Sequence, residues 1–142
     1  MNSGTAGNNL KVVLDTNIIV SALVYGGKPR EIYWLVLEKK IIAYISPSII
    51  AETIEILTKK FNFNQIKLRQ IERKLRKNCC IVNPSKILSA VRDPDDNRII
   101  EAAVEGNCSY IITGDKDLLD LGKYKNIKIV TAGQFLNMIF QG

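Results

Sequence analysis

The chemistry open to this chain rests on four acidic residues, Asp15, Glu52, Asp96 and Asp115. It has no histidine, so a Ser-His-Asp triad, a Cys-His pair, imidazole-ligated zinc and imidazole acid–base catalysis are all excluded. Its three cysteines are Cys79, Cys80 and Cys108. None stands in a C-x-x-C pair, and an odd count argues against a disulfide framework. A reducing compartment is expected, with all three as buried thiols. Any catalysis must then use carboxylates, hydroxyls, lysine or arginine, or a metal held by oxygen.

Asp15 follows the apolar run Val12-Val13-Leu14, and Asp115 follows Ile111-Ile112-Thr113-Gly114. Both sit at the ends of expected strands, where an aspartate more often serves as a turn residue or a helix cap. Asp96 is more telling. Ile99, Ile100 and Ala103 follow it at i+3, i+4 and i+7, so it heads the helix face that should be buried. Asp93 or Asp95 can already supply the cap. A buried carboxylate costs several kcal/mol unless a cation or donors compensate it. Glu52 lies roughly 40° outside the apolar arc of its helix and Glu55 roughly 100° outside, at about 100° per residue, so Glu52 leans inward and Glu55 faces solvent. Asn17 and Thr113 stand beside Asp15 and Asp115 as neutral groups able to orient a carboxylate or a water. Asp117, in Gly114-Asp115-Lys116-Asp117-Leu118, either backs the cluster or caps a short helix.

Gathered together, four carboxylates cannot all stay ionised without a cation. With oxygen ligands alone the expected ion is Mg²⁺ or Mn²⁺. Such an ion lowers the pKa of water and stabilises charge on a phosphodiester oxygen.

The elements that must position these acids alternate in type. Strands are expected at Leu10–Asp15, Ile41–Ile45, Cys79–Val82, Tyr110–Thr113 and Ile127–Val130. A helix capped by Thr16 or Asn17 runs to Leu23 and is closed by Gly26-Gly27. Another begins near Pro29, and a third runs from Ser46-Pro47 to about Lys60. Further helices span Asn64–Lys77, Asp93 to a stop at Gly106-Asn107, a short stretch near Leu118, and Ala132–Ile139. Asn83–Arg92 reads as a loop or short helix. This alternation predicts a three-layer α/β/α sandwich with a central, mostly parallel twisted sheet. Ligands of such sheets gather beyond the carboxyl ends of the strands.

At 142 residues, 46% hydrophobic and 24% charged, the chain has the size and composition of one folded domain. Residues 10–142 are expected to form it, after a disordered lead-in at Met1–Asn9. Nothing approaches a membrane span, the lead-in lacks the layout of a secretory signal, and the cytoplasm is the expected location. The net charge of +6 is uneven. Lys59, Lys60, Lys67, Arg69, Arg73, Lys74, Arg76 and Lys77 face a single acid, Glu72, within one stretch. Such a block suits a polyanion, and equally a solvated helix face. Set beside an acidic metal cluster, it reads as a nuclease that grips nucleic acid.

The residues resemble those of the PIN-domain family. The stretches that carry the resemblance are VVLDTNIIVSAL (12–23), SPSIIAETIEIL (46–57), RDPDDNRIIEAA (92–103) and YIITGDKDLLDL (110–121), in the family's order. The last two are especially similar to the PIN subgroup described as toxins of prokaryotic toxin–antitoxin pairs, of VapC type. The resemblance implies a metal-dependent ribonuclease whose acids are Asp15, Glu52, Asp96 and Asp115. It places Asp15 and Asp96 on Mg²⁺ or Mn²⁺, Asp115 on the ion or close by, and Asp117 in an additional acidic position. It also implies an RNA substrate hydrolysed to 5′-phosphate and 3′-hydroxyl ends, a cognate antitoxin and a homodimer. The basic block would supply phosphate contacts and a steep salt dependence.

Two other functions fit parts of the pattern. A phosphoryl-transfer domain of the same class needs D-x-D, or two adjacent acids, after its first strand, and Asp15-Thr16-Asn17 offers neither. A catalytically inactive RNA-binding or protein-interaction module on a PIN scaffold would keep the basic block without turnover.

Overall fold

The computed structural model describes residues 10–141, so the expected lead-in Met1–Asn9 lies outside the described residues. Six strands form one sheet in the order β3-β2-β1-β4-β6-β5. These are β1 (Lys11–Leu14), β2 (Ile42–Ile45), β3 (Cys80–Ile81), β4 (Tyr110–Ile112), β5 (Lys123–Tyr124) and β6 (Ile127–Val130). All neighbours pair in parallel except β5 with β6. Among the described residues, seven helices flank the sheet: α1 (Thr16–Val24), α2 (Gly27–Leu37), α3 (Pro47–Phe61), α4 (Gln65–Asn78), α5 (Pro94–Glu105), α6 (Lys116–Leu121) and α7 (Ala132–Gln141).

Val12, Val13 and Leu14 are all buried, and so are Ile111 and Ile112. An unbroken apolar run, rather than an alternating one, is what a strand covered on both faces requires. The chain steps from β1 through β2 to β3 in one direction, and from β4 to β6 in the other. Right-handed crossovers therefore place α1–α4 on one face and α5 and α6 on the opposite face, giving a three-layer α/β/α sandwich. The reversal falls between β1 and β4. Register there pairs Val12 with Tyr110, Val13 with Ile111 and Leu14 with Ile112. One further step brings Asp15 beside Thr113, and the Asp15 N–H donates to the Ile112 carbonyl at 3.0 Å.

Several expectations are corrected in detail. The first helix is capped by Asp15 rather than by Thr16 or Asn17. The sheet gains β5, too short to show periodicity and folded back on β6 in an antiparallel pair. The expected stop of α5 at Gly106-Asn107 is met: Gly106 is the C-cap with φ −83°, and Asn107 carries the positive φ of 52°. Glycine is needed there for space, because a Cβ would lie 2.7 Å from the Tyr44 ring. Of the three cysteines only Cys108 is buried; Cys79 is half-buried and Cys80 exposed.

Candidate metal centre

The acids at the carboxyl edge are positioned by the backbone steps that end β1 and β4. The Asp15 side chain accepts from the Asn17 N–H at 3.1 Å through Oδ1. Its other oxygen, Oδ2, accepts from the Thr113 hydroxyl. The same Thr113 oxygen accepts from the Asp115 N–H at 2.9 Å. Asp115 caps α6 by accepting from the Leu118 N–H at 3.1 Å. Asp93 caps α5 through the Asp95 N–H, which leaves Asp96 unused as a cap, and Asp96 is only 9% exposed. On α3, Glu52 is half-buried and its Oε1 accepts from the Thr16 hydroxyl at 2.7 Å. Glu55 is exposed and pairs with Lys59 at 2.9 Å.

One carboxylate oxygen each from Asp96, Asp115 and Asp117 lie within 4.8 Å of one another. The family resemblance implied Asp15 and Asp96 on the ion with Asp115 on it or close by, and Asp117 was expected either to back the cluster or to cap a short helix. In the folded chain Asp117, two residues past Asp115 at the start of α6, reaches the cluster. Asp15 keeps both oxygens in hydrogen bonds with Asn17 and Thr113.

Electrostatics mark the same edge. Burial raises the Asp15 carboxyl above its usual range, opposed by the donors Thr113 and Asn17 and reinforced by the charge of Asp115. Burial also raises Glu52, with Thr16 opposing and Asp95, Asp15 and Asp93 adding repulsion. Asp96 is pushed up to about 7, first by burial and then by the charge of Asp115, to which its protonated form can donate. Among the described residues, no ion pair joins a lysine or arginine to Asp15, Glu52, Asp96, Asp115 or Asp117. Lys116 turns to Asp120 at 2.8 Å, and Arg98 lies against Glu101 at 2.9 Å. A close set of oxygen donors with no protein cation fits a hard divalent ion such as Mg²⁺ or Mn²⁺. Asp96, Asp115 and Asp117 would hold it.

Behind the cluster, α5 fastens the irregular segment before it with three residues four apart. The Asn97 amide bonds both the N–H and the carbonyl of Val91, at 2.9 and 2.8 Å. Glu101 accepts from the Leu88 N–H at 2.8 Å, and Glu105 from the Ser85 N–H at 3.0 Å. Sequence reading missed this row because its attention stayed on the apolar stripe. The i, i+4, i+8 spacing of Asn97, Glu101 and Glu105 beside a loop rich in backbone donors was the available signal.

The basic block lies on two elements. Lys59 and Lys60 end α3, and the rest lie on α4, whose Leu68, Ile71 and Leu75 are buried. Lys67, Lys74 and Lys77 rim a groove floored by Leu23, Tyr33 and Phe63, among others. Leu23 stands eight residues beyond Asp15 along α1, roughly 12 Å of helix. Arg69 and Arg73 are exposed, and Arg76 pairs with Glu72 at 3.1 Å.

A doubly wound α/β protein with a carboxylate centre at its switch point is the class that this fold and edge define. The family model for the PIN domain matches residues 11–117, and the chain belongs to that family. The uncharacterized protein MJ1680 of Methanocaldococcus jannaschii is 36% identical over 140 residues, covering 89% of this chain and 90% of that one. Among solved structures, a chain of VapBC2 from Rickettsia felis, bound to a DNA fragment from its promoter, superposes with a TM-score of 0.61. It is 15% identical and covers 86% of this chain and 98% of its own. The PIN domain endonuclease Utp24 superposes with a TM-score of 0.56 at 24% identity, covering 88% of this chain and 86% of its own. At these identities the two structural likenesses concern the fold.

Proposed function

We propose that this protein is a divalent-metal endoribonuclease, acting at the edge where β1 and β4 end. The observation that carries the reading is the convergence of one carboxylate oxygen each from Asp96, Asp115 and Asp117 within 4.8 Å, with no lysine or arginine paired to them among the described residues. Repelling carboxylates held together are costly in an empty site and useful around Mg²⁺ or Mn²⁺. When bound, the ion lowers the pKa of water and offsets charge building on the phosphodiester.

The chain's own groups divide the remaining work. Thr113 and Asn17 hold Asp15 by one donor on each oxygen, which fixes its orientation at the floor of the edge. Asp115 is set by its N–H on Thr113 and its oxygen on Leu118 N–H. Thr16 occupies Oε1 of Glu52, which leaves Oε2 to accept a proton from attacking water. A raised Glu52 carboxyl suits that task, since general-base strength follows pKa. Lysines and arginines of α3 and α4 supply phosphate contacts without sequence preference.

The fold likeness to VapBC2, a complex bound to a fragment of its promoter, and the resemblance of residues 92–121 to toxin-type PIN proteins favour a cytoplasmic toxin restrained by a cognate antitoxin, with a second copy of the chain as a further partner. Labelled single-stranded RNA and DNA of matched mixed sequence, incubated with Mn²⁺, with Mg²⁺ and with EDTA, test the substrate class. Internal cuts in RNA with either metal support the reading. RNA bound but left intact under every condition, after removal of any retained partner, points to the inactive binding module.

A further inference from the structure

A groove of roughly 430 Å³ opens between α2 and α4. Its floor is apolar, and the rings of Tyr33 and Phe63 form part of its lining. Lys67, Lys74 and Lys77 stand along the α4 side, and none of the nine lining residues is acidic. Lys67 and Lys74 are seven residues apart, which places them on one face of α4, two turns or about 10 Å along the axis.

These lysines differ from other members of the basic block. Lys59 pairs with Glu55 and Arg76 with Glu72, as on an ordinary solvated helix face. Among the described residues, Lys67, Lys74 and Lys77 have no carboxylate partner. Lys67 instead lies over the Phe63 ring, with Nζ 5.3 Å from the centroid. Unpaired cations beside aromatic rings are what a single-stranded nucleic acid needs, since phosphates take the cations and unstacked bases take the rings. An acidic protein segment would use the lysines without needing the rings. Position favours the same choice: Leu23 lines the groove and stands eight residues, about 12 Å of helix, from Asp15. One strand can therefore reach both places.

We propose that this groove holds the substrate strand beyond the cleaved bond, with Lys67, Lys74 and Lys77 on its phosphates and an unstacked base against Phe63. Lys67 leaves the ring for a phosphate as the base arrives, which frees the aromatic face that its ammonium covers. The acid edge cuts while the groove grips a neighbouring stretch of the same strand. This assignment rests on the ribonuclease reading and adds where the strand lies.

The test measures binding of a short labelled single-stranded RNA to the full chain in EDTA over a range of salt concentrations, with cleavage in Mn²⁺ followed in parallel. Each phosphate contact contributes about 0.7 to the slope of log affinity against log salt, so Lys67→Gln combined with Lys74→Gln should flatten it by about 1.4. Lys123→Gln combined with Lys128→Gln removes two charges from the β5–β6 pair instead, and should leave the slope at the wild-type value. Phe63→Leu should keep the slope and weaken binding by about tenfold, because stacking releases no counterions. Photo-crosslinking of the wild-type chain to RNA carrying thiouridine should label the peptides that hold Tyr33 or Phe63, a readout that needs no variant to fold. Equal slopes in the two lysine pairs, full affinity in Phe63→Leu, or crosslinks confined to other elements would overturn the proposal. If Mn²⁺ still yields fragments in that case, the ribonuclease reading stands and the groove is left to an acidic protein segment. Wild-type chain that neither holds nor cuts RNA would overturn both.

Discussion

The hydroxyl of Thr113 donates to the carboxylate of Asp15, across the junction where the chain order of the sheet reverses. Its oxygen also takes the Asp115 N–H, so one side chain sets two acids on neighbouring strands. Replacing Thr113 by Val preserves shape and removes both partners. An unsatisfied buried group costs about 1–3 kcal/mol, so Thr113→Val should lose stability of that order in chemical denaturation. Thr113→Ser should lose much less, and should retain more of the cleavage rate. Equal losses for the two variants would mean that packing, rather than the hydroxyl, matters at this position.

The metal-free protein should become less stable as pH rises from mildly acid to neutral. An acid whose folded pKa exceeds its unfolded value binds more protons in the native state, and stability then falls between the two values. For Asp96 the window runs from the ordinary 3.8 to about 7, and the raised Asp15 and Glu52 act in the same direction. Mn²⁺ must displace the Asp96 proton, so its stabilising effect should grow over that window. Thermal unfolding in EDTA and in Mn²⁺ across this range checks the sign. A metal-free midpoint that climbs toward neutral pH contradicts it.

Asp96→Asn should separate stability from activity. The amide removes one of the repelling charges from the cluster, so the metal-free variant should unfold at a higher temperature than wild type near neutral pH. The same change should lower Mn²⁺ affinity, which titration calorimetry reads directly. A variant that is both less stable and unchanged in metal binding would show that Asp96 serves packing alone.

Much of the fold was legible because its strands are short apolar runs and its helices begin at recognisable caps. Ser46-Pro47, Asn64 and Asp93-Pro94 start α3, α4 and α5 where the sequence implied. Local signals sufficed for these, since a cap and its partner lie within three residues. Long-range geometry was not available in the same way. That Asp117 joins Asp96 and Asp115, and that Asp15 is oriented by Thr113 and Asn17, depends on the register of β1 against β4 and the tight start of α6. The stop at Gly106-Asn107 was legible, but the need for glycine at 106 was not, because nothing local announces the Tyr44 ring packed against it.

The segment before α5 should loosen when its clamp is removed. Asn97→Ala deletes both bonds to Val91, and an unpaired N–H and carbonyl there should cost about 1–3 kcal/mol. Hydrogen exchange of the backbone from Ser85 to Val91 should accelerate, with β1 and β4 unchanged. Uniform acceleration across the sheet would indicate global destabilisation instead.

The central proposal is that Asp96, Asp115 and Asp117, at the edge where β1 and β4 end, hold a metal ion that serves RNA cleavage. Its most direct test is cleavage of a labelled mixed RNA pool by the wild-type chain and by Asp96→Asn side by side, each with Mn²⁺ and with EDTA. The account predicts fragments from the wild-type chain with Mn²⁺ alone, and a rate at least about a hundredfold lower for the variant, in the range expected when electrostatic stabilisation of the transition state is lost. Cleavage that persists in EDTA, or that proceeds equally in Asp96→Asn, would contradict it.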